Sequence, residues 1–373
     1  MKLTCKLCIS IVITLSVSSI AVAQATYEYY VSSSGSDSNP GTVELPLRTI
    51  QKCIDKWDDV NQVNCNCSGV FSEELVIRKS GPSPIMRNKI IAWDKDGDKK
   101  LSDEEFVLDG KREKSIAVTT PQTGTRPSNV EIAFVTFKNY VPKNGCGPKG
   151  DTQQVHFIKL KGTQNNPCSN WYIHDNIFTN LASNCDARES YIAIRPTHTP
   201  HLIIENNTFD SIGGYIMRYI HGTGISFINN TVKVIAAGIK AWGSPDSLQI
   251  DNNIFISDGN GFNPDTACGA QNVVNFSNNV QYGSIRNNLF VDCVTAIAIG
   301  SDNSFGLRDN AHHIIDGNLI YRSGRACNRY NSPIVIDDRS SYNKDGDSMH
   351  VHDVLGCLRG YILKAIGFQP MQY

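Results

Sequence analysis

The chain has 373 residues, and its 35 Lys and Arg residues nearly balance its 36 Asp and Glu residues, so the formal net charge is −1. Nothing in that balance indicates nucleic-acid binding, and we expect no nucleic-acid partner. Beyond the first 23 residues no apolar run is long enough to span a bilayer, so no membrane span is expected either.

Residues 1–23 have the pattern of a secretory signal peptide. Lys2 and Lys6 precede an apolar run that ends in Ala21-Val22-Ala23, a small-x-small cleavage pattern. We therefore predict a secreted or periplasmic protein whose mature chain starts at residue 24. The mature sequence contains no linker or low-complexity run, which favours one elongated domain over residues 24–373 that acts as a monomer.

The first mature segment, YYVSSSGSDSNPGTVELPLRTIQKCID at residues 29–55, predicts a strand, a polar turn and a short helix. Thr49 can cap the helix, and four apolar residues follow on one helical face: Ile50, Cys53, Ile54 and Trp57. This opening, together with GVFSEELVIRKSG at 69–81, resembles the start of secreted right-handed parallel β-helix proteins of the pectate- and alginate-lyase-like superfamily. The resemblance implies an all-β, single-stranded right-handed parallel β-helix with an N-terminal helical cap. Since lyases, hydrolases, epimerases and adhesins share this scaffold, it implies function only loosely.

Residues 94–105 have the spacing of a twelve-residue calcium loop, inserted between two strand-like segments. Its expected oxygen donors stand at loop positions 1, 3, 5, 7, 9 and 12, and they are Asp94, Asp96, Asp98, the carbonyl of Lys100, Ser102 and Glu105. Lys99 stands where such loops usually have Gly, which makes the sharp turn harder. Because strands flank the loop, we predict that Ca²⁺ clamps it and does not act as a sensor. A solvated acidic turn that binds no metal is the alternative.

Short apolar segments around an asparagine-containing bend recur through the second half of the chain. The recurring asparagines are Asn176, Asn207, Asn230, Asn253, Asn288 and Asn318. Units of this size cannot bury an apolar face alone, so the repeat predicts a stacked β-solenoid. Equivalent bends on successive coils lie about 4.8 Å apart, so the amides are expected to form a structural ladder and not a catalytic site.

A basic residue precedes three of these bends at nearly constant spacing. Arg195, Arg218 and Lys240 stand 12, 12 and 13 residues before the asparagine of their repeat, which predicts a column of like charges on successive coils. Stacked like charges repel, and the cost indicates an anionic partner. Tyr219 and Trp242 follow closely and could pack against sugar rings or face inward.

A basic column on this scaffold resembles the groove of polysaccharide lyases acting on uronate polymers. The resemblance implies β-elimination, and our hypothesis makes Lys240 the base, with Arg218 and Arg195 binding the carboxylate of an acidic polysaccharide. His198 is a further candidate as an acid. A glycan-binding protein without activity is the alternative, and a glycoside hydrolase is a third, although the acids Asp337 and Asp338 lack the accompanying hydrolase motifs.

The ten cysteines of the mature chain favour disulfides over zinc, because their number is even and export is predicted. Cys65 and Cys67 are too close for easy bonding to each other, so we expect each to bond elsewhere. The connectivity is not readable from the sequence. The ten are Cys53, Cys65, Cys67, Cys146, Cys168, Cys185, Cys268, Cys293, Cys327 and Cys357.

Overall fold

The computed structural model describes sixteen parts of the chain: residues 24–94, 106–141, 154–181, 191–218, 220–234, 237–242, 245–257, 272–278, 280–291, 293, 295–299, 313–321, 334–336, 350–351, 355–358 and 361–363. The predicted signal peptide lies outside these residues. Among them, no helix combines the length and apolar character that a membrane span needs.

Almost all regular structure lies in three long sheets. Sheet A contains β1 (Thr26–Ser32), β2 (Gln62–Phe71), β4 (Asn88–Ala92), β7 (Val130–Ala133), β10 (Trp171–His174), β13 (Ile203–Glu205), β17 (Ser226–Ile228), β21 (Gln249–Asp251), β24 (Ser284–Arg286), β27 (Ile314–Asp316) and β30 (His350–Val351). Sheet B contains the end of β2 and then β5 (Phe106–Asp109), β8 (Thr136–Lys138), β11 (Ile177–Leu181), β14 (Thr208–Ile212), β18 (Thr231–Val234), β22 (Ile254–Ser257), β25 (Leu289–Val291), β28 (Leu319–Tyr321), β31 (Leu355–Leu358) and β32 (Tyr361–Leu363).

The third sheet and one small ribbon complete the set. Sheet C contains β3 (Leu75–Val76), β6 (Ile116–Thr119), β9 (His156–Lys161), β12 (Ile192–Thr197), β15 (Tyr215–Arg218), β19 (Ala237–Trp242), β23 (Asn272–Asn278), β26 (Thr295–Ile299) and β29 (Ile334–Ile336). The ribbon pairs β16 (Gly222–Thr223) with β20 (Pro245–Asp246).

Successive coils of the chain stack in parallel. One coil runs through β12 on sheet C, β13 on sheet A and β14 on sheet B, and the next coil repeats the path with β15, β17 and β18. The described neighbours in the three sheets pair in parallel, apart from the terminal antiparallel pair of β31 and β32. Crossovers between parallel strands are right-handed in nearly all proteins. The predicted right-handed parallel β-helix is therefore confirmed.

The predicted asparagine ladder is present along the bend between sheets A and B. Its six buried members are Asn176, Asn207, Asn230, Asn253, Asn288 and Asn318. The side chain of Asn207 donates to Asn230 Oδ1 at 3.1 Å, and the side chain of Asn230 donates to Asn253 Oδ1 at the same distance. The backbone N–H of each also donates to that next oxygen. The ladder therefore satisfies the polar groups of a bend that excludes water.

The residue before each ladder asparagine makes the bend itself. These six residues have φ between 52° and 61°, and they are Asp175, Asn206, Asn229, Asn252, Asn287 and Gly317. This left-handed conformation is tolerated by Asn, Asp and Gly and costs most other residues energy. In each bend, therefore, the first residue of the recurring pair turns the chain and the second, the ladder asparagine, links neighbouring coils.

Aromatic rings fill the interior beside sheet B. Phe137, Phe178 and Phe209 occupy register-equivalent positions, and consecutive ring centroids in this stack lie 4.8 Å apart. Phe255 and Phe290 stack in the same way further along, at 5.1 Å. Since strand spacing and ring stacking distance are similar, one apolar position per coil is enough to build a continuous core.

The predicted N-terminal helix is present as α1 (Ile50–Ile54), although its role as a cap of the solenoid remains a prediction. The Thr49 side chain accepts a hydrogen bond from the backbone of Lys52 at 3.3 Å. The carboxylate of Glu73 accepts from the backbone of Ile50 at 3.0 Å. Both contacts satisfy N–H groups that the first turn of a helix leaves without intrahelical partners.

The disulfide prediction is corrected in part. Cys53 and Cys65 are bonded, and this bridge ties α1 to β2. Cys67 is a buried thiol and is not bonded elsewhere, contrary to expectation; its sulfur lies 3.5 Å from the carbonyl of Cys65. Cys168 and Cys293 are also buried thiols. Side chains of alternate residues on one strand face the same way, so both Cys65 and Cys67 point into the interior, where only Cys65 meets a partner.

Candidate functional site

The predicted column of cations lies on sheet C and is longer than predicted. Cα register pairs Lys159 with Arg195 and Arg218 with Lys240. The register of the preceding residues on β12 and β15 places Arg195 beside Arg218. We call these four residues the cation column. They stand on four successive strands, with neighbouring strands about 4.8 Å apart.

Lys159 is the member that the repeat analysis missed. Its repeat contains an inserted turn between β9 and the bend, so Lys159 stands 17 residues before Asn176 instead of 12 or 13. A local signal was nevertheless present, because Ile158 and Leu160 are buried while Lys159 and Lys161 are more exposed. This apolar–polar alternation is typical of a strand with one face toward solvent.

The amine of Lys159 is held in a setting that favours its neutral form. Burial, together with the positive charges of Arg195 and Lys161, lowers the pKa of Lys159 to about 8. Lys159 donates a hydrogen bond to Gln154 Oε1, and Arg195 Nη1 donates to the same oxygen at 2.9 Å. Gln154 thus holds two cations side by side without neutralising either.

A buried histidine supports this arrangement from behind. His156 is fully buried, and its Nδ1 lies 3.0 Å from the carbonyl of Ile192 on the next coil, to which it donates. Burial, together with nearby lysine and arginine charges, lowers the pKa of His156 well below its usual value. A neutral ring in this position fixes the start of β9 against β12 without adding charge to the column.

The other two members of the column differ in exposure. Lys240 is half-buried, whereas Arg218 is only 3% exposed, and its guanidinium carbon lies 4.8 Å from the ring centroid of Tyr215. A cation over an aromatic face is stabilised by the ring quadrupole. Arg218 therefore contributes positive charge beneath the surface of the column, while Arg195, Lys159 and Lys240 reach its exposed side.

A cavity of about 430 Å³ opens just past the C-terminal ends of β9, β12 and β15. His198 and His221 lie on its wall, stacked with ring centroids 4.8 Å apart and an interplanar angle of 22°. The cavity is lined by Thr163, Gln164, Pro167, His198, Pro200, His221, Gly222 and Thr223. His198 was singled out in the sequence, but its pairing with His221 depends on the stacking of two coils.

The remaining predicted site residues are placed only in part. Trp242 ends β19, and its side chain lies outside the described residues, as does Tyr219. Of the calcium loop, the structure describes Asp94; residues 95–105 lie outside it. The loop joins β4 of sheet A to β5 of sheet B, so the prediction of flanking strands is confirmed. Within the described part of the chain no cluster of three or more metal-binding side chains occurs.

The stacking of parallel coils defines the class: the chain is a right-handed parallel β-helix protein. It is similar to a solved structure of pectate lyase Pel9A, at 12% identity and a TM-score of 0.49, covering 90% of this chain and 79% of that one. It is also similar to a rhamnogalacturonan lyase, at 14% identity and a TM-score of 0.46, covering 88% and 87%. For the alginate lyase AlyGC, identity is 11%, the TM-score 0.49 and coverage 90% and 40%. No protein-family model and no curated protein sequence matches the chain.

Proposed function

We propose that this chain is an exported polysaccharide lyase that cleaves an acidic, uronate-containing glycan by β-elimination. The observation that carries the proposal is the pair of Lys159 and Arg195 on adjacent strands. It combines an amine whose pKa is lowered to about 8 with a guanidinium that stays charged. These are the two groups that elimination from a uronate needs, a base for the C5 proton and a cation for the carboxylate.

In the proposed reaction, Arg195 binds the carboxylate of the uronate, which makes the neighbouring C5–H bond more acidic. The neutral amine removes the C5 proton, and the C–H electron pair forms the C4–C5 double bond. The bond from C4 to the glycosidic oxygen then breaks, and the departing glycan takes up a proton. At pH 7 about a tenth of an amine with a pKa of about 8 is neutral, which is enough for a general base.

Two lysines of the cation column compete for the role of base. Lys240 is the base predicted from the repeat spacing, and Lys159 is added by the structure. The lowered pKa of Lys159 and its shared hydrogen-bond acceptor with Arg195 favour Lys159. In this assignment Lys240 joins Arg195 in binding carboxylates, and buried Arg218 stabilises the enolate-like intermediate by its charge. Tyr219 and Trp242 are proposed to pack against sugar rings.

The proposed Ca²⁺ has a structural role. The loop donors are carboxylates, a hydroxyl and a carbonyl, and such oxygens fit a hard divalent cation. The loop stands where later coils have an asparagine bend, between sheets A and B, and thus on a different side of the coil from the column. We expect a chelator to lower the thermal unfolding midpoint while elimination by the folded protein continues. Loss of elimination by fully folded protein after chelation would instead place the cation in the reaction.

The test is to follow the ultraviolet absorbance of the unsaturated uronate product on a panel of acidic glycans. Lys159→Met is expected to lower kcat/KM by about 10²- to 10⁴-fold, the usual contribution of a general base. Lys233→Met is the matched control, because Lys233 lies on sheet B in an exposed ion pair with Asp210. Its activity should equal that of the wild type.

Other outcomes separate the alternatives. Activity that survives in Lys159→Met and disappears in Lys240→Met would return the role of base to Lys240. New reducing ends without the double bond would indicate a glycoside hydrolase. Binding of a glycan without either product would indicate a binding protein on the same scaffold.

A further inference from the structure

The cavity beside the cation column differs from the column in charge. Of the described residues that line it, none is Lys, Arg, Asp or Glu. Burial lowers the pKa of His198, and burial together with His198 and Arg195 lowers the pKa of His221. Both rings are therefore neutral at pH 7, and each offers one N–H donor and one ring-nitrogen acceptor. A carboxylate has no cationic partner in such a lining, whereas sugar hydroxyls can both donate to the rings and accept from them.

Backbone contacts hold the walls of the cavity in place. Gly162 N–H donates to the carbonyl of Thr197 at 2.8 Å, and Thr199 N–H donates to the carbonyl of His221 at 2.9 Å. Gly222 has φ +129°, and a Cβ there would lie 2.9 Å from the backbone nitrogen of Pro200. A left-handed φ and this close approach both require glycine. The cavity is thus formed by the fold itself and needs no ligand to shape it.

The cavity also lies within reach of a glycan bound to the column. β12 ends at Thr197, and His198 follows at a bend with φ 48°, three residues beyond Arg195. The charge of Arg195 is among the causes that lower the pKa of His221, so the column and the cavity are close enough to interact. The volume is in the range of pockets that enclose small ligands.

We propose that this cavity is a subsite for an uncharged sugar residue, so that the substrate is a heteropolymer in which uronates alternate with neutral sugars. The inference rests on the proposed function for the uronate half of the repeat. In this arrangement the cation column binds the uronate, and the stacked imidazoles of His198 and His221 exchange hydrogen bonds with hydroxyl groups of its neighbour. A polymer of uronates alone would place a carboxylate against neutral rings and two prolines.

The test compares binding of two kinds of oligosaccharide of equal length, measured by calorimetry on the full chain carrying Lys159→Met so that bound glycan is not consumed. Alternating oligosaccharides come from rhamnogalacturonan and hyaluronan, and homopolymeric ones from polygalacturonate and polymannuronate. We expect His221→Ala and His198→Gly each to weaken binding of an alternating oligosaccharide about tenfold, as expected for one or two lost hydrogen bonds. Binding of the homopolymeric oligosaccharides should not change.

His201→Gly is the matched control for His198→Gly. Both histidines have a positive φ, 48° at His198 and 55° at His201, so glycine is accepted equally well at both. His201 is exposed and is not part of the cavity lining. His201→Gly should therefore leave the binding of both kinds of oligosaccharide unchanged.

A second measurement uses the same Lys159→Met chain with both histidines in place, so it does not depend on whether a histidine variant folds. The imidazole resonances of His198 and His221 should shift on addition of an alternating tetrasaccharide and stay in place with a homopolymeric one. Equal losses for both kinds of glycan, no loss in either variant, or no binding of any of the four glycans would each overturn the subsite. Unsaturated product together with equal binding would overturn the subsite alone, and selective binding without that product would overturn only the elimination.

Discussion

Sheets A and C stack charged side chains on the same strand spacing, yet the two sheets use opposite arrangements of charge. On sheet A, Lys89 Nζ lies 3.1 Å from Glu131 Oε1, and His174 lies between Glu131 and Asp175, at 3.5 Å and 2.6 Å. On sheet C, the register brings lysines and arginines next to one another. The backbone geometry is the same in both sheets, so the signs of the neighbouring charges decide whether their stacking stabilises the fold.

The charged groups of the sheet A cluster are paired with one another, although the 3.5 Å contact of His174 Nε2 with Glu131 lacks hydrogen-bond geometry. Tyr172 stacks on His174 with ring centroids 4.0 Å apart and donates its hydroxyl to Glu205 at 2.8 Å. Although burial opposes it, the adjacent carboxylates of Glu131 and Asp175 raise the pKa of His174. Such a cluster gains little from a ligand. The cation column is the proposed binding surface, where an anion would interact with several positive charges at once. The comparison is consistent with our proposal that sheet C binds the glycan and that the sheet A cluster stabilises the fold.

The largest effect is expected when the column is given the charge pattern of sheet A. Arg195→Glu places a carboxylate between Lys159 and Arg218, where it occupies the cations and repels uronates. We expect affinity for an acidic oligosaccharide to fall about 100-fold, since charge-assisted hydrogen bonds are lost and repulsion is added. The unfolding free energy should not decrease. Calorimetry and urea unfolding measure the two quantities, and unchanged affinity would contradict the role of the column.

The reverse change removes the anion from the sheet A cluster. Glu131→Gln leaves Lys89 and His174 without their shared carboxylate in a place where all three side chains are half-buried. We expect a loss of about 2 kcal/mol in the unfolding free energy, because a buried charge loses its partner. Glycan affinity should be unaffected. If Glu131→Gln instead weakened glycan binding and left the unfolding free energy unchanged, the sheet A cluster would have the binding role that we propose for sheet C.

The pH dependence of the reaction tests the base. Since the neutral amine is the active form, kcat/KM is expected to rise about tenfold per pH unit below a pKa of about 8 and to level off above it. The measurement is the initial rate of unsaturated product formation across this range. In Arg195→Gln the break in the profile should move to higher pH, because one of the charges that lowers this pKa is gone. If the break stays at the same pH, the profile does not report the ionisation of Lys159, and Lys159 is not the base.

The smallest effects concern the pH dependence of stability, which has opposite signs on the two sheets. The pKa of His174 is raised, so its contribution is present below the unfolded value of about 6.5 and is lost as pH rises through the folded pKa. The pKa of Lys159 is lowered, so its unfavourable contribution is present at neutral pH, and stability recovers as pH rises from about 8 toward the unfolded value of about 10.4. In urea unfolding measured across pH, His174→Gln should abolish the loss of stability with rising pH. Lys159→Met should abolish the gain of stability at alkaline pH. If either pH dependence of stability persists in the corresponding variant, it arises from other groups.

Much of the fold was predictable because one local pattern repeats once per coil. The pair of residues at each bend needs a left-handed conformation followed by a buried amide, and both preferences are visible in residues such as Asn229 and Asn230. The same constant spacing predicted that Arg218 and Lys240 would be neighbours. It failed for Lys159, since an inserted turn changed the distance to the bend although the strand kept its register.

The sequence by itself determined the stacking of coils, because ladder asparagines, bend residues and core phenylalanines interact with copies of themselves. Only the tertiary structure decided contacts between unlike residues from distant segments. These include Glu131 with His174, the burial of Arg218 over Tyr215, and the pairing of His198 with His221. A repeat reports which positions are equivalent, but exposure, pKa and cavities depend on loops and neighbours that differ from coil to coil.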